Sequence, residues 1–563
     1  MTNTLSFSHF NGTASSSLPA RRPLTEQPRQ ESLPPTAEGD VGVAKATTPI
    51  NTPATEASAL LPPFKTPSTP LLSLPYQPNT APVELTKPRT LANGSTVFHY
   101  ALANGHQVLL EQRPSDTVSL RTFINVGSTI EQPVYHHPTL ANRYDADPTK
   151  DGIPFFHSGV THYDEHKHFD QTQHFEASNS WTKAVEGYGA SLNASTAEEQ
   201  VQHELHFNRE DWVDMLQLHA EQVLHPLYDD KQLTQEKRNV VNEAYERMSH
   251  PQVKAQDKLC ELLYDRPFFQ TLGLKQDVEA IDARELQRLF DTYYQPNNML
   301  TVVSGNLTPE QVLPLMQKTF GAKAPSPTPP NNRGVKLALA NDEVRQMTLS
   351  HPRLKTQSYV MMGFPGPNNR QLKDRAALEV LLTSLTGDPQ SPLQKSLVDD
   401  TGRALDVAVA LSPYHHAGSV EFTVLSNLGF EEECANQILN TLGVVAHKGL
   451  PEARLKNTQA LLKERYKLSL NSQSDVTYML GTEALANSST YMLDYLKLID
   501  QVSEPDIRRV AQTYLNPKHY AVVYMVPGDK DTCHSKTSSK LGALPIFNNY
   551  SQPLPSTLQG ANA

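Results

Sequence analysis

His162, Glu165 and His166 stand in the spacing H-x-x-E-H inside the stretch HSGVTHYDEHKHFD, residues 157–170. On a helix, which advances ~100° and ~1.5 Å per residue, positions 162 and 166 share one face about a turn apart. Two imidazoles so placed can share a zinc ion, and a glutamate beside the second can reach a water on that ion. A tetrahedral ion with these two ligands and a water lacks one protein donor, which must come from elsewhere in the chain. The surrounding tract also holds His136, His137, His157, His168 and His174, so adventitious metal binding is the competing reading of the five residues alone.

The chain that must position them has 563 residues, enough for two to four domains. Its low hydrophobic content of 38% and its 43 prolines point to a part that is not globular. A net charge of −11 without long Lys/Arg runs argues against nucleic acid or an anionic membrane as partner. Cys260, Cys434 and Cys533 are too scattered for a disulfide framework or a cysteine zinc site and fit a reducing compartment. No apolar run reaches the length of a membrane span. A cytoplasmic location follows, with the mitochondrial matrix as the alternative, because the first 25 residues are Ser/Thr-rich, lack acids and carry Arg21 and Arg22.

Residues 1–84, rich in Pro, Thr, Ser and Ala, read as a disordered extension, with order beginning near Thr96. Strands are expected at 97–102 and 108–111 around the Asn104-Gly105 turn, and at 117–126. Residues 133–155 read as a loop insertion. The motif helix should run from about Gly159 past Phe169, followed by a turn and one polar strand within 189–204. Helices are expected at 212–223, 234–248, 253–264 and 283–294, then a strand at 300–304. Residues 321–335 have linker composition. Beyond them come strands at 357–364, 407–411 and 419–425 and helices at 374–385, 431–471 and 475–485. Residues 531–563 read as a flexible tail.

LQRLFDTYYQP (286–296) and IRRVAQTYLNP (507–517) match at four positions, 221 residues apart. The fold expected is therefore α+β: two similar α/β halves, each an antiparallel-rich sheet flanked by helices, related by internal duplication and closing like a clam. The halves would be residues 85–320 and 336–530. Glu236 and Glu243 stand two turns apart on one expected helix. A nearby offset of 218 puts Arg454 and Leu461 in their places in the second half, which also lacks H-x-x-E-H. An acidic pair and a histidine pair present in one half and absent from the other point to a joint role.

H-x-x-E-H, then 76 residues, then Glu243 with Glu236 seven before it, resembles the pitrilysin/insulinase family of zinc peptidases, the inverzincin arrangement. ALANGHQVLLEQ, NVGSTIEQP, GASLNAST, YYQPNNMLTVVSG and MMGFPGP carry the likeness from about residue 97 to 526. The layout is closest to the bacterial subgroup similar to mitochondrial processing peptidases. The resemblance implies a zinc metalloendopeptidase, a peptide-bond hydrolase. His162, His166 and Glu243 would be the Zn²⁺ ligands, Glu165 the general base and Glu236 the acid that orients the site. Asn193 and Ala194 would lie on an edge strand that pairs with substrate backbone. Zinc with two neutral imidazoles and a carboxylate keeps an open position and brings a water's pKa toward ~7, within reach of Glu165 as proton acceptor.

The chain departs from the family in three places. Asp164, Lys167 and His168 stand where apolar residues are usual. Val201 and His203 replace a threonine and a tyrosine of the edge-strand motif. Val398 and Leu405 occupy the positions of a substrate-gripping Arg/Tyr pair, with Arg403 out of register. The third departure suggests a dimer, either a homodimer or a heterodimer whose other subunit supplies the pair. Two readings from other classes stay open: a non-catalytic family subunit that acts as scaffold or peptide-binding partner, and a histidine-rich metal-binding protein.

Overall fold

The computed structural model describes residues 81–131, 154–264, 271–327, 330, 332, 334, 337, 339, 343–488, 490–529 and 532–538. The expected loop insertion, apart from 154 and 155, and most of the N-terminal extension lie outside these residues.

The first half contains strands β1 (Val83–Thr90), β2 (Thr96–Ala101), β3 (Gln107–Gln112) and β4 (Thr117–Ile124), then helices α1 (Val160–Lys167) and α2 (Ser180–Glu186). The hairpin β5 (Ser191–Thr196) and β6 (Val201–Asn208) follows, with helices α3 (Trp212–Leu224), α4 (Asp230–Met248), α5 (Pro251–Leu263), α6 (Lys275–Ala280) and α7 (Ala283–Tyr293). Strand β7 (Met299–Gly305) and α8 (Pro309–Lys318) complete it. The second half contains β8 (Val344–His351), β9 (Gln357–Gly366), α9 (Leu372–Thr386), β10 (Ala404–Pro413) and β11 (Gly418–Asn427). It continues with α10 (Glu431–Lys448), α11 (Glu452–Ser469), α12 (Gln473–Leu485), α13 (Thr490–Asp500), α14 (Glu504–Tyr514), β12 (Tyr520–Pro527) and β13 (Thr532–Ser538).

The sheets run β1-β2-β3-β7-β4-β6-β5 and β10-β11-β9-β12-β8-β13. In each, a hairpin forms one edge, an antiparallel strand follows, and the strand beyond pairs in parallel with its next neighbour. The duplication is thus visible in topology, and the chain is α+β with two similar halves. Both α7 and α14, and the starts of β7 and β12, stand 221 residues apart.

The same offset matches α4 to α11, whose ends coincide, and sets Asn457 and Glu464 opposite Glu236 and Glu243. The substitution by Arg454 and Leu461 was a register error of three residues. Glu243 alone keeps an acidic counterpart, since Asn457 stands opposite Glu236 and α9 holds no histidine.

Other departures are local. Order starts at β1, inside the expected extension, because its exposed residues pair with β2 without an apolar pattern. The single polar strand is a hairpin, and the motif helix stops at Lys167. Strand β13 forms within the expected tail by pairing with β8.

One face of the first sheet packs on the helices of its own half through Val108, Leu110, Leu120, Val303 and their neighbours. The other face is covered by α12, which lies across β4 and β7 but belongs to the second half. Reciprocally, α5 of the first half lies across β9 and β12 of the second sheet, with Leu259 and Leu263 against Met361 and Val523. Glycines mark both crossings. A Cβ on Gly481 of α12 would fall 1.9 Å from the Phe123 ring, and one on Gly363 of β9 would fall 2.5 Å from Leu263.

Candidate metal centre

Helix α1 has 8 mostly polar residues, about two turns, too little to persist alone. Tertiary contacts hold it. The Glu131 carboxylate accepts from the Gly159 N–H at 2.7 Å and the Thr161 N–H at 3.0 Å, so a distant loop supplies the anion that this helix N-terminus lacks in sequence. Ser158 donates to Asp277 at 2.5 Å and His157 pairs with Glu285 at 2.8 Å.

The polar residues that break the family's apolar pattern all meet partners. Asp164 accepts from the Tyr228 hydroxyl at 2.5 Å, and its other oxygen is 3.3 Å from His168 Nε2. His168 Nδ1 donates to the Gln222 carbonyl at 2.7 Å, and its ring stacks on Tyr294. Lys167 donates to Asp170 at 2.7 Å. A buried charge or dipole is tolerable when so matched. His203 is fully buried beside His168, and among the described residues neither its two ring nitrogens nor His168 Nε2 and Asp164 Oδ2 meet hydrogen-bond geometry with a partner.

On the opposite face of α1, His162 Nε2 and His166 Nε2 lie 3.3 Å apart. Glu243 Oε2, brought by α4, is 3.6 Å from the first and 3.4 Å from the second. Among the described residues no other three such side chains converge within 4.8 Å. Zinc ligands at ~2.0–2.1 Å in a tetrahedron are separated by ~3.3 Å, so these three atoms fit one zinc ion.

The electrostatics agree with that fit. Burial, with His166 alongside, pushes the His162 ring down to about 3, so it is a neutral donor. Burial also works against a charge on His166, but hydrogen bonds to Glu236 and Glu243 outweigh it and lift that ring to about 10. The acids around His166 thus favour a positive charge at this site, which a bound cation would supply in place of the proton. His166 Nδ1 donates to Glu236 Oε1 at 2.6 Å, which turns Nε2 toward His162 and Glu243. The bond to His166 holds Glu243 below the usual carboxylate range, and for Glu236 it overcomes the opposing effect of burial.

Glu165 is buried, and burial raises its carboxyl to about 7 against the opposing pull of the Thr196 hydrogen bond and His166. Asn193 and Ala194 sit on β5, the sheet's outer strand, opposite Glu204 and His203 of β6. Val201 and His203 lie on β6, one strand inward. Val398 is in the π-helical turn Gln394–Asp399, Leu405 is half exposed at the start of β10, and Arg403 is paired with Glu433 at 2.8 Å. No Arg/Tyr pair stands at those positions.

Sequence reasoning missed Thr196, Glu131 and Tyr228. The first two lie inside GASLNAST and NVGSTIEQP, where a hydroxyl two residues after an alanine and a lone acid in a mixed polar loop were the available signals. Nothing in the sequence joins Tyr228 to Asp164.

Comparison with known proteins gives the same family. The model of the insulinase family (peptidase family M16) matches residues 156–273, and that of the peptidase M16 inactive domain matches residues 280–462. The uncharacterized zinc protease YmxG of Bacillus subtilis is 22% identical over 421 residues, 74% of this chain and 94% of its own length. Zinc protease PqqE of Helicobacter pylori is 22% identical over 391 residues, 66% of this chain and 84% of its own. A protease from Helicobacter pylori has the same fold with a TM-score of 0.66 at 20% identity, covering 76% of this chain and 99% of that one. A peptidase M16 inactive domain structure from Pseudomonas fluorescens matches with a TM-score of 0.66 at 16% identity, over 77% and 99%. With these sheets, this site and these relatives, the chain belongs to the insulinase family of peptidases, family M16.

Proposed function

We propose that the chain is a zinc-dependent metalloendopeptidase that hydrolyses peptides or unfolded polypeptide segments. The observation that carries this reading is the convergence of His162, His166 and Glu243 donor atoms beside a buried Glu165. Zinc, when bound, supplies Lewis acidity toward the scissile carbonyl and makes a water acidic near neutral pH. Glu165, lifted to about 7, is suited to accept a proton and return it to the leaving amine. Glu236 fixes the tautomer of His166. The open edge of β5 at Asn193 and Ala194 supports backbone pairing with an extended peptide, which tolerates varied sequence.

The residues 85–320 half would carry the chemistry, with 336–530 as the inactive half across the 321–335 linker. The absence of Arg and Tyr at positions 398 and 405 favours a dimer in the manner of the processing-peptidase-like subgroup, possible partners being a second copy or a subunit bearing that pair. Among the described residues no helix is long and apolar enough to cross a membrane. We place the protein in the cytoplasm, with the mitochondrial matrix as the alternative.

The decisive experiment compares wild type, Glu165→Gln and Glu243→Ala by metal analysis and by cleavage of an unstructured peptide. One zinc per chain is expected in wild type and Glu165→Gln and is lost in Glu243→Ala, while both variants lose cleavage. Glu165→Gln with undiminished cleavage refutes the reading. Zinc without cleavage in wild type favours the scaffold subunit, or a heterodimer if an Arg/Tyr-bearing partner restores activity.

A further inference from the structure

Glu165 Oε2 is 2.6 Å from the hydroxyl of Thr196, and both side chains are buried. Thr196 is the last residue of β5, the strand to which a peptide would add. The turn that follows is gripped from behind by the loop after β4. Ser128 and Thr129 donate their N–H groups to the carbonyls of Ala197 and Glu198 at 3.1 and 2.9 Å. Gly127 permits this approach, because a Cβ there would fall 2.3 Å from the Ala197 oxygen. Two residues beyond Thr129, Glu131 of the same loop holds the start of α1 through Gly159, the Thr161 N–H and the Thr161 hydroxyl, at 2.7, 3.0 and 2.5 Å. One loop of five residues therefore holds both the hairpin that carries Thr196 and the helix that carries Glu165.

We infer that Thr196 is a positioning residue for Glu165. Its hydroxyl commits one carboxylate oxygen and leaves the other for proton transfer, while the loop of residues 127–131 keeps strand and helix in register. A carboxylate on a short helix has freedom about its own side-chain bonds, and the Thr196 donor removes it. Misplacement of a reacting group by ~1 Å can cost ~10²-fold in rate. The arrangement also ties two events together, since a peptide that pairs with β5 stiffens the strand that aims the base. This inference rests on Glu165 being the general base.

Thr196→Val keeps shape and removes the donor, whereas Thr196→Ser keeps the donor. With an unstructured fluorogenic peptide, Thr196→Val is expected to lower kcat about 10–100-fold with KM and zinc content within about twofold, and Thr196→Ser to recover kcat to within about threefold. Melting temperatures of both variants are read alongside, since a purely structural residue would lower stability and zinc content together and leave no difference between donor and non-donor. An active wild type with Thr196→Val equally active, or with Thr196→Ser as impaired as Thr196→Val, overturns the inference and leaves the proposed function intact. A zinc-loaded wild type that cleaves nothing overturns the proposed function and this inference with it.

Discussion

His166 Nδ1 and Glu236 Oε1 are 2.6 Å apart, and this contact decides which way the second metal-facing imidazole points. Without the carboxylate, Nδ1 has no fixed partner and the ring can choose either tautomer. Partners of this kind are worth 10–100-fold in metal affinity. Glu236→Ala should therefore weaken zinc binding by about 10–100-fold, measured by competition with a chromophoric chelator, without abolishing it as Glu243→Ala should. Equal affinity in Glu236→Ala and wild type would contradict the orienting role.

Asp164 makes the back of the metal-bearing helix polar, and Tyr228 is its nearest donor at 2.5 Å. Removal of one partner leaves a buried acceptor short, at about 1–3 kcal/mol. Tyr228→Phe should lower stability by an amount of that order, seen as a lower thermal midpoint. A double variant, Tyr228→Phe with Asp164→Leu, should be more stable than the single one, because the unsatisfied carboxylate is gone. The comparison needs only calorimetry.

His106 and His219 should each make the first half acid-sensitive in the range where a free histidine titrates. His106 Nε2 contacts Thr301, Thr301 contacts Thr122, and Thr122 contacts His219 Nε2, a buried chain with steps of 2.9, 2.8 and 2.9 Å. Burial pushes both rings down to about 3, reinforced at His106 by the nearby His219 and opposed at His219 by a hydrogen bond to Gln222. The unfolded chain takes up these protons near pH ~6.5. Because the folded pKa lies below the unfolded one, stability rises with pH across this window and is lost as pH falls through it. Between pH ~6.5 and ~5 each ring should cost about 1.5 kcal/mol. Wild type should therefore lose more melting temperature between pH 7 and 5 than a His219→Gln variant, and an equal loss would contradict this.

Gly481→Ala tests the contact between α12 and the first sheet. Alanine would gain about 1 kcal/mol of helix propensity. The new methyl, 1.9 Å from the Phe123 ring, forces overpacking that costs about 1–3 kcal/mol or more. A lower thermal midpoint is expected despite the better helix former, and a higher one would show that the crossing has slack.

Much of the fold could be read from sequence where one rule dominated. The hairpin at Gly105, the helices α3, α5 and α7 and the strand β7 follow from turn residues and apolar spacing, and their bounds agree within a few residues. Reading failed where the stabilising partner was far away. Strand β1 has no apolar alternation because neighbouring backbone, not a core, holds it. Asp164 and His168 looked misplaced on α1 because Tyr228 and Gln222 are invisible from the motif, whereas the partner of Lys167, Asp170, stands only three residues on. The spacing from His166 to Glu243 identified which carboxylate to look for, yet the contrast with the second half was misdrawn, since Glu464 shares that helix position. The histidine pair and Glu236, opposite Asn457, are what distinguish the halves.

Each sheet is roofed by a helix that the other half supplies. Parting the two halves would strip α12 from β4 and β7 and α5 from β9 and β12 in one movement, wetting two apolar faces together. The seam within the chain is therefore a rigid spine, and whatever motion admits a polypeptide must be found at the open strand edges or at a boundary with another molecule.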